Sequence, residues 1–232
     1  MINKVVSLEE AVKDVFDGAM ILIGGFGASG TPHNLVEAIS KGPAKDLTLV
    51  YNAFSQVLAW VTPTNVKKVI STFPVAALSS WKAGCLAEEV KAGRLEVELV
   101  PQGTFVERIR AGGAGIPAFF SPVGVGTIVE EGKRKSSFFG KECLLELAIK
   151  ADFALIKADK ADRWGNLSYR MAQRNFNPIM ATAADVVIAE VDEIVELGEL
   201  SPEVIITPSI YVDRVVKVPK RVIRYGYHEV KD

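Results

Sequence analysis

The sequence predicts an α/β fold, an open, mostly parallel, doubly wound sheet with helices on both faces. Short apolar runs typical of buried parallel strands recur along the chain. Amphipathic helical patterns alternate with these runs, and glycine-rich loops follow several of them. No internal repeat or low-complexity linker divides the 232 residues. We therefore expect one domain over residues 1–232.

The N-terminal part predicts a helix, a strand, a glycine loop and a second helix. Ser7 and Glu10 form a capping-box pattern that opens a helix reaching Phe16. An apolar strand is expected over 19–23. After the glycine loop, Thr31 is the predicted N-cap of a helix that runs to about residue 41.

The rest of the chain continues this alternation. A helix capped by Thr104 follows one of the later strands, and a short helical pattern covers 85–91. Residues 127–147 predict short β-segments around Gly132 and Gly140. Six further strands are expected, at 47–51, 66–71, 95–100, 153–157, 186–190 and 211–218.

The glycine loop is the first candidate binding site, and it consists of Gly24, Gly25, Phe26, Gly27, Ala28, Ser29 and Gly30. Glycines let the chain turn sharply and let a ligand approach the backbone. Free N–H groups at the start of the following helix would favour a phosphate or a carboxylate. The alternative is a purely structural role, in which these glycines serve only close packing between helix and sheet.

Residues 25–30 also fit the G-x-G-x-x-G pattern of dinucleotide-binding proteins. That function needs an acidic residue at the carboxyl end of the second strand to hold a ribose. Asp46 lies at the entrance of that strand, whereas its exit carries Asn52. The pattern therefore favours dinucleotide binding only weakly.

Two amide side chains end predicted strands, where open α/β sheets bind ligands. Asn52 and Gln102 suit recognition of a carboxylate or a carbonyl oxygen, with turn capping as the alternative. Two more glycine-rich stretches could offer backbone donors or simply form turns. Their candidate residues are Gly113 and Gly115 in the first, and Gly124 and Gly126 in the second.

Other titratable side chains offer fewer candidates. His33, in the first turn after the loop, could touch a ligand. Four arginines are expected at the surface or in salt bridges, although one could meet a phosphate: Arg108, Arg110, Arg170 and Arg174. No residue stands out as an activated nucleophile, so we place no catalytic residue in this chain.

Composition excludes several classes of function. The net charge of −1 predicts no attraction to nucleic acid or to an anionic membrane. No apolar run has the length of a transmembrane helix, and the first residues lack a signal-peptide core. The two cysteines have no metal-like spacing and indicate a reducing compartment. We expect a cytoplasmic protein without a metal or a permanently bound cofactor.

Several blocks together resemble the A (alpha) subunit of family I CoA-transferases, the 3-oxoacid CoA-transferase group. Residues 17–32 satisfy the first signature of that family throughout. Pro101-Gln102-Gly103-Thr104 and Ala172-Gln173-Arg174-Asn175-Phe176 match two further blocks. The resemblance covers residues 5–218 and extends to the sheet architecture of that family.

This resemblance implies a two-subunit enzyme, with an A2B2 heterotetramer as the expected assembly. In the family, a glutamate of the B subunit inside a Ser-Glu-Asn-Gly motif attacks an acyl-CoA, and CoA passes to a second carboxylate in ping-pong fashion. This chain lacks that motif. By resemblance, residues 24–30 bind coenzyme A as a substrate, Asn52 and Gln102 face the acyl carboxylate, and the two later glycine stretches shape the site around the partner's glutamate.

The sequence leaves the substrates open. The family commonly has Ser-Asn-Asn after the second strand, whereas this chain has Tyr51-Asn52-Ala53. Residues 163–166 look closer to 3-oxoadipate enzymes than to acetoacetate enzymes. We expect succinyl-CoA as the donor and acetoacetate or 3-oxoadipate as the acceptor. The alternatives are a CoA-transferase subunit for acetate or another short-chain fatty acid, an acyl-CoA hydrolase on the same fold, or a non-enzymatic binding module for CoA or a nucleotide.

Overall fold

A parallel sheet forms the centre of the computed structural model, which describes residues 2–27, 29–53, 65–73, 89–219, 222–225 and 228–231. The strands are β1 (Met20–Ile23), β2 (Leu47–Ala53), β3 (Val66–Phe73), β4 (Glu96–Leu99), β5 (Ala118–Ser121), β6 (Lys135–Phe138), β7 (Lys141–Leu147), β8 (Ala151–Asp162), β9 (Leu167–Ser168), β10 (Ala184–Val195), β11 (Arg214–Lys217), β12 (Val222–Tyr225) and β13 (His228–Lys231). The α-helices described are α1 (Leu8–Val12), α2 (His33–Ser40), α3 (Gln102–Gly113) and α4 (Asn177–Ala181).

The central sheet has the strand order β11-β10-β8-β1-β2-β3-β4. Every neighbouring pair in this order is parallel, and the short β9 adds an antiparallel pairing with β8. A smaller antiparallel sheet has the order β5-β7-β6, and β12 pairs with β13 as a hairpin. The predicted open, mostly parallel α/β sheet is confirmed.

Helices cover both faces of the sheet. Successive side chains of each strand point to opposite faces, and apolar side chains lie on both. On one face, Ile21 and Leu155 join Leu35 of α2 in a buried cluster that also includes Ala11 of α1. On the other face, Leu22 and Ile156 pack with Phe105 of α3 and with Met180 of α4. The sheet therefore buries apolar side chains on both sides, as continuous apolar strand runs require.

Several predicted boundaries shift in the structure. Helix α1 ends at Val12 instead of reaching Phe16, and β8 and β10 extend to twelve residues each, beyond their apolar runs. Helix α3 begins at Gln102 after Pro101, so Thr104 is buried in its first turn and is not its N-cap. The predicted β-segments around Gly140 form the β6–β7 hairpin. Most of the pattern at 85–91 lies outside the described residues, where only 89–91 are described and helical.

Candidate functional site

The glycine loop lies where the strand order of the sheet reverses. The chain proceeds from β1 to β2, β3 and β4 on one side, and β8, β10 and β11 extend the sheet on the other side. The loop directly follows Ile23, the last residue of β1, between the carboxyl ends of β2 and β8. In open α/β sheets this position forms a crevice that binds ligands.

The loop is a tight, internally bonded turn. Gly24 N donates to Leu155 O of β8 at 2.9 Å. Phe26 and Ser29 exchange backbone hydrogen bonds of 3.0 and 3.1 Å. The φ angles of Gly25, Gly27 and Gly30 are +111°, +61° and +67°, a region that side chains with a Cβ rarely adopt. Ala28, which is also part of the predicted loop, lies outside the described residues.

Packing explains three of the loop glycines. A Cβ atom on Gly24 would overlap Asn177 Oδ1, and one on Gly25 would overlap Thr31 Oγ1. A Cβ on Gly30 would overlap the backbone oxygen of Gln173. By contrast, a Cβ on Gly27 would meet no atom within 4 Å. The loop thus packs against Thr31, the start of α4 and the residues just before it, and among the described atoms it is open at Gly27.

The start of α2 differs from the sequence prediction. Its N-cap is Pro32, and no side chain bonds to the cap position. Thr31 instead donates its hydroxyl to Gly27 O at 3.0 Å, closing the loop from within. The prediction of Thr31 as the N-cap was wrong because its hydroxyl finds a backbone acceptor in the preceding turn.

A buried carboxylate of the protein itself occupies the N-terminus of α2. Glu190 of β10, 2% exposed, accepts bonds from Asn34 N (2.8 Å), Leu35 N (3.1 Å) and Asn34 Nδ2 (2.9 Å). Burial raises the pKa of Glu190, while the bonds from Asn34 and the charge of Lys157 favour its ionised form. The prediction that this helix start attracts an external anion was therefore wrong, since the chain supplies the anion.

A buried ion pair lies beside Glu190 on the same face of the sheet. Lys157 of β8 stands in register with Glu190, and its Nζ lies 2.5 Å from Asp192 Oδ1. Both partners of this pair are nearly inaccessible to solvent. Sequence analysis missed these groups. A signal was present, because Lys157 and Glu190 end the two apolar runs that predicted β8 and β10.

Asn52 and Gln102, predicted separately, contact each other. Gln102 Nε2, at the start of α3, donates to Asn52 Oδ1 on β2 at 3.0 Å. Thr72 Oγ1 donates to the same oxygen at 2.9 Å and to Asn52 O at 2.6 Å. Asn52 is 1% exposed, and its Nδ2 group has no acceptor among the described residues. The pair therefore leaves a buried amide donor at the carboxyl edge of the sheet.

A groove of about 490 Å³ begins at this edge. Gln102, Gly103 and Thr104 of α3 form one wall, and residues of β5 and the turn after it, Ser121 and Val123 among them, form the other. Phe176 also lines the groove and stacks on Phe26 of the glycine loop, with ring centroids 6.3 Å apart and an angle of 8°. Phe176 therefore contacts both the groove and the glycine loop.

The first turn of α3, like that of α2, contains no acidic residue and has no side-chain cap. At α2 the Glu190 carboxylate accepts from the first-turn amides. Thr104 Oγ1 in the first turn of α3 is buried without a hydrogen-bond partner in the described structure. The groove thus combines amide, hydroxyl and helix-terminal donors, which suits a carboxylate ligand.

The groove also contains a carboxylate of this chain. Glu107 lines it but is about half exposed, and its Oε2 lies 2.8 Å from Arg110. Arg108 is buried and bonds to Glu98 and to Leu147 O, so these two arginines make the intramolecular contacts expected from the sequence. Arg170 and Arg174 are exposed beside α4, and His33 is buried in the first turn of α2.

The later glycine stretches lie at different distances from the groove. Gly113 is the last residue of α3, about 16 Å along the helix from Gln102 at 1.5 Å per residue. A Cβ there would overlap Thr182, so Gly113 serves close packing, and Gly115 follows it at the same end. Gly124 and Gly126 lie in the turn next to Val123, with φ of +89° and +76°. Gly126 N already donates to Glu130 Oε2 at 2.6 Å.

The described ranges hold no candidate metal site and no candidate membrane-spanning helix. No group of three or more histidine, cysteine or acidic side chains is arranged there to hold a metal ion. No helix in the same ranges has the length and apolar character needed to cross a bilayer.

Comparison with known proteins identifies the family. The family model described as Coenzyme A transferase matches residues 5–218. The chain is 48% identical over 223 residues to the A subunit of the 3-oxoadipate CoA-transferase of Pseudomonas putida, covering 94% of this chain and 95% of that one. The chain therefore belongs to the coenzyme A transferase family and corresponds to the A component of a two-subunit enzyme, as the resemblance predicted.

Other relatives carry different substrate names. The alpha subunit of the acetate CoA-transferase of Escherichia coli is 42% identical over 220 residues, with 93% of this chain and 97% of that one covered. The A subunit of a probable succinyl-CoA:3-ketoacid coenzyme A transferase of Bacillus subtilis is 46% identical over 215 residues, with 90% and 87% covered.

A solved structure shows the same fold over a longer chain. The acyl-CoA transferase of Escherichia coli O157:H7, determined as a thioester complex with CoA, superimposes with a TM-score of 0.81 at 22% identity. The match covers 97% of this chain and 49% of that one. This chain therefore spans about half the length of that enzyme.

Proposed function

We propose that this chain is the A subunit of a two-subunit CoA-transferase that moves CoA from an acyl-CoA to a 3-oxoacid. The expected donor is succinyl-CoA, and the expected acceptor is acetoacetate or 3-oxoadipate. The observation that carries the proposal is the contact between Asn52 and Gln102 beside the glycine loop, because it presents amide donors at the ligand-binding edge of the sheet.

The chemistry of these groups supports a binding half-site. Amides and helix-terminal N–H groups hold a carboxylate without reacting with it. Residues 24–30 would bind the CoA portion, and Asn52 and Gln102 would bind the carboxylate end of the acyl group. The glycine turn containing Gly124 and Gly126 lies beside the groove, where it could contact the partner, whereas Gly113 would act through helix packing.

The nucleophile is proposed to be a glutamate of the B subunit. Its carboxylate would attack the acyl-CoA carbonyl and release CoA thiolate, forming a mixed anhydride. The thiolate would then attack the glutamyl carbonyl, forming an enzyme–CoA thioester and releasing the first carboxylate. A second carboxylate would reverse these steps and leave as the new acyl-CoA. An A2B2 assembly would provide two such sites.

Mass spectrometry of the co-purified subunits tests whether the nucleophile belongs to the B subunit and not to this chain. The assembly is incubated with succinyl-CoA in the absence of an acceptor, and the mass of each polypeptide is measured. We expect a CoA adduct, lighter than free CoA plus protein by one water, on the B polypeptide. An adduct on this chain would refute the proposal.

Glu107 provides the matching variant because it is a carboxylate of this chain that lines the groove. Glu107→Gln should retain CoA transfer and the adduct on the partner. Loss of both in a folded Glu107→Gln assembly would place the nucleophile here. Transfer rates with acetoacetate, 3-oxoadipate and acetate then identify the acceptor. Acetate is the alternative that the Escherichia coli relative favours, and thioester loss without any acceptor would instead indicate a hydrolase.

A further inference from the structure

Four of the described carbonyl oxygens of the glycine loop accept hydrogen bonds from inside the protein. Phe26 O accepts from Ser29 N at 3.1 Å, and Gly27 O accepts from Thr31 Oγ1 at 3.0 Å. Ser29 O accepts from Phe26 N and also from Asn175 Nδ2 at 2.9 Å. Gly30 O accepts from Asn177 Nδ2 at 2.9 Å. Four of the loop carbonyls are therefore turned towards the chain's own donors.

Three of the six described loop amides have no such partner. Gly24, Phe26 and Ser29 donate their N–H groups within the chain. The N–H groups of Gly25, Gly27 and Gly30 have no acceptor within the described ranges. Gly25 and Gly30 are buried, and a buried amide without an acceptor is costly unless a ligand or a partner supplies one. The described residues of the loop therefore keep three N–H donors for a ligand.

The segment Asn175-Phe176-Asn177 imposes this arrangement. Asn177 is fully buried: its Nδ2 bonds to Gly30 O and to Gln173 O, and its Oδ1 accepts from Lys157 N at 2.9 Å. The side chain therefore fixes the end of the loop relative to β8. Phe176, which lies between the two asparagines in sequence, stacks on Phe26. One short segment therefore contacts the loop both at Phe26 and at Gly30.

We propose that Asn175 and Asn177 are positioning residues that hold the described part of the loop, residues 24–27, 29 and 30, as a donor surface for a negatively polarised oxygen of the acyl-CoA. That oxygen belongs either to a phosphate of the nucleotide portion or to the thioester carbonyl. This inference rests on the proposed CoA-transferase function. It assigns a role to side chains that touch the loop from the protein side and need not touch the substrate.

The decisive variant is Asn177→Asp in the two-subunit enzyme. Aspartate has the same size and keeps the acceptor for Lys157 N, but it loses both donated bonds and places an oxygen against Gly30 O. We expect kcat/KM for the acyl-CoA to fall about tenfold. Tyr169→Phe is the control, because it removes a hydroxyl bond of 2.7 Å to Thr207 that does not involve the loop. It should leave both kcat/KM values within about twofold of wild type.

The effect of Asn177→Asp on kcat/KM for the carboxylate acceptor identifies which oxygen of the acyl-CoA the loop holds. If the loop holds a phosphate, kcat/KM for the carboxylate acceptor should stay near wild type, because CoA is already attached when the acceptor arrives. If the loop holds the thioester oxygen, both kcat/KM values should fall, since both half-reactions pass through attack at a thioester carbonyl. Values for both substrates equal to those of the Tyr169→Phe control would overturn the inference.

Amide hydrogen exchange provides a measurement independent of turnover. Exchange in the peptide covering 24–30 should be faster in Asn177→Asp than in wild type, and the exchange of β10 should be unchanged. Unchanged exchange in the loop would contradict the positioning role. If Asn177→Asp does not fold, Asn175→Asp, at a partly exposed position, takes its place. A wild-type assembly without CoA transfer would refute the proposed function, and the exchange experiment would still decide the role of Asn177.

Discussion

Replacing Glu190 by alanine should destabilise the protein far more than removing any other glutamate of the same strand. The change deletes the acceptor of three hydrogen bonds and leaves the donors of Asn34 and Leu35 buried. An unsatisfied buried donor costs about 1–3 kcal/mol. Part of this cost is offset because a desolvated charge is removed as well. Breaking a buried charged arrangement by removing one member typically costs about 3–5 kcal/mol, which we take as the expected loss.

Thermal and urea unfolding measure this loss. For a chain of this length, a loss of about 3–5 kcal/mol lowers the Tm by roughly 6–20 °C. Glu193→Ala is the matched control, since Glu193 lies on the same strand and pairs with Lys160 at the surface, where both side chains are well exposed. Its cost should stay below about 1 kcal/mol. The stability lost in Glu190→Gln should lie between the losses of the two alanine variants, because one of the two carboxylate oxygens is replaced by an NH2 group that faces other donors.

The result that would refute the reasoning is equality of the two alanine variants. If Glu190→Ala unfolds at the same urea concentration as Glu193→Ala, the N-terminus of α2 does not depend on an internal anion. The helix start would then be available to a ligand phosphate, as its position after the glycine loop had suggested.

Three further outcomes follow from other contacts. In urea unfolding, Gly112→Ala should lower the free energy of unfolding by about 1–3 kcal/mol, because its Cβ would overlap the backbone oxygen of Ile149. Gly103 lies on the same helix with open space around it, so Gly103→Ala should be neutral or stabilising by up to about 1 kcal/mol. Thr72→Val removes the hydroxyl that bonds to the Asn52 amide, so it should raise the KM for the carboxylate substrate about fivefold in steady-state assays. Thr72→Ser keeps a hydroxyl and should restore the KM. Equal KM values in both variants would contradict this role. The bidentate bond from Arg214 lowers the pKa of Asp14 below 3.8 against the opposing effect of burial, so the stability from this pair is present above pH 3.8 and lost as the pH falls through the lower pKa. Wild type should therefore lose more stability than Asp14→Asn on acidification below that value, and parallel pH profiles would argue against the pair.

Patterns local in sequence predicted the architecture and part of the site. Apolar runs identified the buried strands because both faces of a parallel sheet are covered. The same strand assignments placed Asn52 and Gln102 at strand ends, and the structure joins them through a hydrogen bond of 3.0 Å. The position of the glycine loop after β1 was also evident, since a strand, a loop and a helix follow one another without interruption.

Contacts between distant segments decided the rest. Glu190 lies 156 residues from Asn34, so nothing near the start of α2 indicated that its N-terminal amides were already occupied. The orientation of the loop carbonyls likewise depends on Asn175 and Asn177, about 147 residues away. Sequence periodicity reports which face of an element is buried, but it does not report which polar side chain meets which backbone group across the core. Those pairings arise only when the sheet brings β8, β10 and the segment before α4 against the loop, and they determine which backbone donors of the loop and of α2 remain for a ligand.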